Sequence, residues 1–150
     1  DKTVGGHVDE GEEFDAAAVR EAGEELFGDG GSPRARLARD EADLASLLAT
    51  ACLSRQVVFR RVALQLNLRD VRLVPGGAGI RNVVYHVASY LGRTDVPIDG
   101  FRPQADEIAG LRYAAPAEVD ALLARGELAP NMAFLWLTHA HALLALAGRP

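Results

Sequence analysis

The chain has 150 residues and a formal net charge of −5, with 49% hydrophobic and 25% charged residues. This length fits a single domain, residues 1–150, that buries a core of its own. The acidic balance gives no reason to expect a stable nucleic-acid partner, and the lack of a long apolar run predicts no membrane partner.

The first predicted helix runs from about Phe14 to Phe27 and follows a glycine-rich turn. Its apolar residues are mostly small and recur at helical spacing, which suits close packing on a sheet. They are Phe14, Ala17, Ala18, Ala22 and Leu26. The glycine-rich run at 28–33 then ends the helix.

The next predicted helix spans 40–52, with Asp40 as its N-cap and leucines 44, 47 and 48 on one face. The pattern at 55–63 is compatible with either a helix or a strand. The segment at about 33–60 is interpreted as an extra helical insertion, which is either a lid or specificity element or mere decoration.

The chain has one cysteine, Cys52. It excludes an internal disulfide and is typical of a cytoplasmic protein. Its neighbours are mostly apolar, which predicts that its side chain is buried.

The second half of the chain predicts a hairpin and two further helices. Alternating apolar residues at 64–68 and 71–74 lead through a glycine turn to a return strand at 82–91. Residues 107–113 predict another strand. Helices follow at 117–125, opened by Pro116, and at 130–146.

Three glutamates stand at i, i+3 and i+4 on the first helix: Glu21, Glu24 and Glu25. This spacing brings their side chains to one helix surface, where their charges repel one another. A hard divalent cation such as Mg²⁺ removes the repulsion, because it favours carboxylate oxygens and also binds phosphates. The alternative is an acidic helix face that is merely solvated.

The spacing of residues 6–28 resembles the signature of the Nudix hydrolases, G-x5-E-x7-R-E-U-x-E-E-x-G-U, in which U is a bulky aliphatic residue. Six positions match: Gly6, Glu12, Arg20, Glu21, Glu24 and Glu25. Ala22 is smaller than the usual aliphatic residue, and Phe27 and Gly28 stand where the family has glycine and then an aliphatic residue. A one-residue shift of the helix end, with Gly28 in the left-handed conformation, accounts for the last difference.

The resemblance implies an α/β (α+β) Nudix fold, with a mixed β-sheet sandwiched between helices. Members of the family usually have two or more strands before the glycine turn, so we expect the N-terminal strands to be missing from this chain. The resemblance leaves a homodimer open.

The resemblance also implies a role for each matching residue. Mg²⁺ or Mn²⁺ would bind Glu21, Glu24 and Glu25, with the carbonyl of Gly6 as a further ligand, and Glu12 would pair with Arg20 to hold the loop on the helix. Catalytic carboxylates would be Glu24, Glu25 and, on a later loop, Glu107, although the identity of the general base stays open. His7, beside the place of the diphosphate, either binds substrate or completes the turn.

The implied activity is metal-dependent hydrolysis of a diphosphate bond in a nucleoside diphosphate linked to another moiety. The partner is then a small nucleotide or another diphosphate compound. One alternative is a Nudix-like module that binds a nucleotide without cleaving it, although such proteins usually lose helix carboxylates. A second is a relative of isopentenyl diphosphate isomerase, but Gly5 stands where that family has its catalytic cysteine.

The charge distribution favours a polyphosphate ligand. The first 31 residues hold ten acidic and two basic side chains, whereas residues 32–81 hold nine arginines and four acidic side chains. Guanidinium groups bind phosphate oxygens in pairs of parallel hydrogen bonds. An arginine-rich composition is equally typical of a genome rich in G and C.

Overall fold

The computed structural model describes residues 4–29, 33–74, 76, 79–103 and 109–148. Its elements mix helices and strands, so the chain belongs to the α+β proteins in the broad sense. In chain order they are α1 (Phe14–Phe27), β1 (Ala35–Ala38), α2 (Glu41–Thr50), β2 (Val57–Leu73), β3 (Ile80–Thr94), a 3₁₀ turn (Ile98–Gly100), α3 (Pro116–Ala124) and α4 (Pro130–Ala147).

The three strands form one mixed sheet in the order β1-β2-β3. β1 pairs in parallel with the start of β2, with Ala35 opposite Val57. β2 and β3 form the predicted hairpin, and their antiparallel register runs from Val57 opposite Thr94 to Leu73 opposite Ile80. The mixed sheet confirms the coarse fold class, an α and β protein built on a mixed sheet.

Each face of the sheet packs a separate apolar cluster, because neighbouring residues of a strand point to opposite faces. On one face, Val57 and Phe59 pack with Ala22, Leu26 and Phe27 of α1. On the other face, the fully buried Val58 packs with Leu44 of α2 and Leu146 of α4. The three-stranded sheet therefore lies between helices, and α1 packs on one side of it.

The end of α1 follows the sequence prediction. Gly28 is left-handed at φ 71° and donates its N–H to the carbonyl of Glu24, while Asp29 N donates to the Gly23 carbonyl over 3.1 Å. The bond from Gly28 to Glu24 is that of a left-handed helix C-cap, a conformation that glycine adopts without a Cβ penalty. The predicted left-handed Gly28 at the end of α1 is confirmed.

The segment at 33–60 is not helical throughout, so the expected helical insertion is wrong in that respect. Only α2 within it is a helix, and Asp40 caps that helix as predicted by accepting the N–H of Asp43 over 2.8 Å. The segment also contributes β1 and the first residues of β2 to the sheet. The pattern at 55–63 becomes a strand from Val57 onward, because its residues pair on both sides.

Cys52 is exposed, which corrects the expectation of a buried thiol. It follows the end of α2, where Leu47, Leu48, Ala51 and Leu53 pack on the core. Its apolar neighbours thus occupy the core, and the Cys52 side chain lies outside the core. Its Sγ is 3.3 Å from the hydroxyl oxygen of Ser54.

The outer half of the hairpin carries exposed apolar residues. Leu73 is 82% exposed and its partner Ile80 is 68% exposed. Val71 and Val84 are exposed as well. By register and parity these four residues share one face of the hairpin.

Two predictions for the last third of the chain have different outcomes. The described residues of the expected strand, 109–113, are irregular rather than extended in a ladder. The two predicted helices are present as α3 and α4, and Trp136 of α4 is buried at 7% exposure. Over all the described ranges, no helix is both long and apolar enough to cross a bilayer.

Candidate functional site

The glycine-rich loop before α1 lies along the acidic surface of that helix. Gly5 N donates to Oε2 of Glu25 over 3.0 Å, Gly6 lies against the carboxylate of Glu21, and the His7 carbonyl accepts from Nη2 of Arg20 over 3.0 Å. Successive loop residues thus meet successively earlier helix residues, so the loop runs antiparallel to the helix. The contacts bring the motif residues of the sequence together in space.

Gly6 is the closest point of approach between loop and helix. A Cβ built on Gly6 would lie 1.8 Å from Cδ of Glu21 and 2.0 and 2.3 Å from its two oxygens. No real Cβ comes so close to another heavy atom. Glycine at position 6 therefore lets the Glu21 carboxylate lie against the loop backbone, and any larger residue would make that side chain move.

Arg20 is the centre of the polar contacts. Its Nε and Nη2 donate to Oε1 and Oε2 of Glu12 over 3.1 and 2.9 Å, a bidentate pair of the kind that fixes both planar groups. Its Nη1 donates to Oε1 of Glu21 over 2.9 Å and to Oε2 of Glu24 over 3.2 Å. One guanidinium thus joins the loop to two of the three helix glutamates.

These contacts shift the proton affinities of both partners. The hydrogen bonds from Arg20, and then the one from the backbone N–H of Asp9, lower the pKa of Glu12 below its ordinary 4.5. Hydrogen bonds to Glu12 and then to Glu21 raise the pKa of Arg20 further above its usual value. Both groups are therefore charged at neutral pH.

The three helix glutamates have different surroundings. Glu25 is buried at 8% exposure and its carboxylate faces the loop backbone at Gly5. The side chain of Glu21 is partly covered, whereas that of Glu24 is 31% exposed. Of the three carboxylates, that of Glu24 is therefore the most accessible from solvent.

The carboxylates of Glu21 and Glu24 have the oxygen ligands that a hard cation prefers. They already share one positive group, the guanidinium of Arg20. The carboxylate of Glu25 is turned to the loop backbone instead of to that point. Consistent with this arrangement, the part of the chain that the structure describes contains no ready-made group of three or more His, Cys, Asp or Glu side chains for a metal ion. Glu21 and Glu24 are the residues that would hold one, and Glu25 would join them only after turning from Gly5.

Two further predicted site residues contribute less to the described geometry. The His7 side chain is exposed, and its backbone carbonyl rather than its ring makes the contact with Arg20. Glu107, the expected carboxylate of a later loop, lies outside the described residues.

A cluster that the sequence did not reveal joins the start of α1 to the sheet. Oδ1 of Asp15 accepts from the Tyr90 hydroxyl over 2.7 Å and lies 3.3 Å from Nη1 of Arg61. Burial and, second, the hydrogen bond to Asp15 raise the pKa of Tyr90 above its ordinary 10.0. The cluster ties α1, and with it the glutamates, to β2 and β3.

A shallow cavity of about 440 Å³ lies at the other end of α1, lined by Pro33, Arg34, Cys52, Arg55 and Gln56. Arg34 stacks 3.8 Å from the ring centre of Phe27, the last residue of α1, and donates to the Arg55 carbonyl. Arg34 thus has a structural role in closing the end of the sheet. Among the other arginines of this segment, Arg39, Arg60 and Arg72 pair with Asp43, Glu41 and Asp70.

No protein-family model, no curated protein and no solved structure matches this chain. What this chain does is therefore inferred from residues 5–28 and the contacts between them.

Proposed function

We propose that this chain is a Nudix-type pyrophosphohydrolase, which uses Mg²⁺ or Mn²⁺ to hydrolyse a diphosphate bond in a nucleoside diphosphate linked to another moiety. The observation that carries the proposal is the loop laid along α1. Its contacts pair Gly5 with Glu25, Gly6 with Glu21 and Glu12 with Arg20. All of these residues except Gly5 stand at positions that the motif fixes, and the contacts give those positions a physical reason.

A solvated acidic face explains these contacts less well. Side chains on such a face point to water and tolerate many neighbours. Here Glu25 is buried and accepts a hydrogen bond from the loop backbone, and the Glu21 carboxylate occupies the place that a Cβ on Gly6 would take. A short helix that holds Glu21, Glu24 and Glu25 against one loop concentrates negative charge, which a divalent cation offsets.

The residues of this chain divide the work. Glu12 and Arg20 fix the loop on the helix beside Glu21 and Glu24. A bound Mg²⁺ would neutralise the bridging phosphates and lower the pKa of a water. Glu24, the most exposed of the three carboxylates, is the group placed to accept a proton from a water at this surface.

The test is a panel of diphosphate compounds incubated with the whole chain and Mg²⁺, with released phosphate or nucleotide as the readout. The panel includes nucleoside triphosphates, nucleotide sugars and dinucleotide polyphosphates. We expect at least one compound to be cleaved, and Glu24→Gln and Glu25→Gln each to lower the rate by orders of magnitude.

Glu10→Gln is the matched control, because it removes one carboxylate from the exposed part of the same loop and leaves the Arg20 contacts in place. It should retain the wild-type rate. Thermal unfolding of all variants separates loss of activity from loss of fold. Recovery of a bound nucleotide uncleaved after incubation with Mn²⁺ would instead indicate a binding module.

A further inference from the structure

Arg20 Nη1 lies between the two carboxylates that a cation would need. It is 2.9 Å from Oε1 of Glu21 and 3.2 Å from Oε2 of Glu24. The remaining donors of the same guanidinium, Nε and Nη2, are held by Glu12 and by the His7 carbonyl. Nε and Nη2 of Arg20 are thus bonded to the loop, whereas Nη1, the guanidinium edge, is bonded to the two helix glutamates.

A divalent ion and this guanidinium edge compete for the same two carboxylates. An ion bound to the Glu21 oxygen at a Mg–O distance of about 2.1 Å lies within about 5 Å of Nη1 if nothing moves. Two positive groups at that separation repel each other. The repulsion is relieved if Nη1 turns from Glu21 and Glu24, and Glu12 offers the guanidinium a place to remain.

We propose that Arg20 is an internal competitor of the divalent cation: Nη1 leaves Glu21 and Glu24 when the ion binds, while Nε and Nη2 stay on Glu12. This inference rests on the proposed function and adds to it the residue that sets the ion affinity of the site. In the absence of the ion, Arg20 offsets the repulsion between the helix carboxylates. In its presence, Arg20 is a positioning residue for the loop.

The proposal predicts that removing the competing charge tightens ion binding. The measurement is Mn²⁺ binding to the full chain by electron paramagnetic resonance of the free ion, without any substrate. Arg20→Gln should bind Mn²⁺ more tightly than wild type by up to about tenfold, the upper bound that a single and a double charge about 5 Å apart give in a water-like dielectric before Nη1 turns away. Arg20→Lys, which keeps the charge, should bind more weakly than Arg20→Gln.

Arg39→Gln is the matched control. It removes the same charge from another exposed i,i+4 ion pair, that of Arg39 with Asp43, and should leave the Mn²⁺ affinity within twofold of wild type. An equal gain in Arg39→Gln would show an effect of net charge alone and would overturn the proposal.

A second measurement on the wild-type chain keeps the test independent of whether Arg20→Gln folds. Side-chain ¹⁵N resonances of Arg20, assigned by comparison with Arg20→Lys, are followed during a Mg²⁺ titration. The Nη1 resonance should shift with ion occupancy while the Nε resonance changes little.

If Mn²⁺ binds wild type and Arg20→Gln equally and Nη1 does not shift, this inference fails and the metal site stands. If no variant binds Mn²⁺, the metal site of the proposed function fails and the inference falls with it.

Discussion

The backbone of Gly6 lies so close to Glu21 that a methyl group on Gly6 would be 1.8 Å from the Glu21 carboxylate carbon. Gly6→Ala must therefore move either the loop or the carboxylate. Because Gly6 is exposed and the atoms in the way are the end of a flexible side chain, the carboxylate is expected to turn away at a cost of less than about 1 kcal/mol, and thermal and chemical unfolding will measure it. The variant should also lose Mn²⁺ affinity, because Glu21 no longer has its place beside the loop.

Gly110→Ala is the control for Gly6→Ala, since a Cβ on Gly110 would have no heavy atom within 4 Å. It should change the stability by less than about 0.5 kcal/mol. Equal stability together with equal Mn²⁺ affinity in the two variants would contradict a role of the close approach at Gly6 in placing Glu21.

Glu12 makes the stability of the chain depend on pH in the acid range. Its pKa is lower in the folded state than the ordinary 4.5, mainly because of Arg20. A lowered folded pKa contributes stability above the unfolded value, and this contribution is lost as the pH falls from about 4.5 through the folded pKa. Unfolding followed from pH 6 to pH 2.5 should thus show a smaller loss in Glu12→Gln than in wild type. The same acid sensitivity in both proteins would rule out this role of the Glu12–Arg20 pair.

Tyr90 and Asp15 give the opposite dependence at alkaline pH. The folded pKa of Tyr90 is above 10.0 because of burial and the hydrogen bond to Asp15. Above pH 10 the unfolded tyrosine ionises while the folded one keeps its proton, so ionisation favours the unfolded state. Tyr90→Phe should cost about 1 kcal/mol at neutral pH and should lose less stability than wild type between pH 9 and pH 11.

Tyr85→Phe is the comparison for Tyr90→Phe, because Tyr85 lies on the opposite face of the same strand and contacts Arg72 through its ring. Its stability should change little at neutral pH. A larger loss in Tyr85→Phe than in Tyr90→Phe would contradict the importance of the bond to Asp15.

Trp136 links the last two helices through Asp120, whose Oδ1 accepts its indole N–H over 2.8 Å. Asp120→Ala leaves this half-buried donor without its partner, which costs about 1–3 kcal/mol. The emission of Trp136, the one tryptophan of the chain, reports the change directly during unfolding. Glu118→Ala breaks only an exposed ion pair with Arg112, so it should cost less than about 1 kcal/mol.

Elements with local signals were predicted well from the sequence. The bounds of α1, the Asp40 cap and the left-handed Gly28 depend on residues within a few positions of each other. β1 was not predicted, because its four residues show no strand pattern of their own and are extended only through pairing with Val57 and the residues after it. The burial of Cys52 was predicted wrongly, because its apolar neighbours in the sequence occupy the core in its place.

The same difference between local and distant contacts holds for the candidate site. The motif resemblance implied the pair of Glu12 with Arg20, which the structure contains, but not the contacts of Gly5 with Glu25 and of Gly6 with Glu21. It did not predict that Nη1 of Arg20 lies on both Glu21 and Glu24, since that orientation depends on a competition among several acceptors around one guanidinium. The bond between Asp15 and Tyr90 spans 75 positions, and no local pattern connects such distant residues.

The most direct test of the central claim, that this loop and helix hold a divalent ion, is anomalous diffraction from crystals soaked in Mn²⁺. The account predicts an anomalous peak within coordination distance of the Glu21 and Glu24 carboxylates, with Arg20 retained on Glu12. Well-ordered glutamates with no peak beside them, and Nη1 of Arg20 still between Glu21 and Glu24, would contradict it.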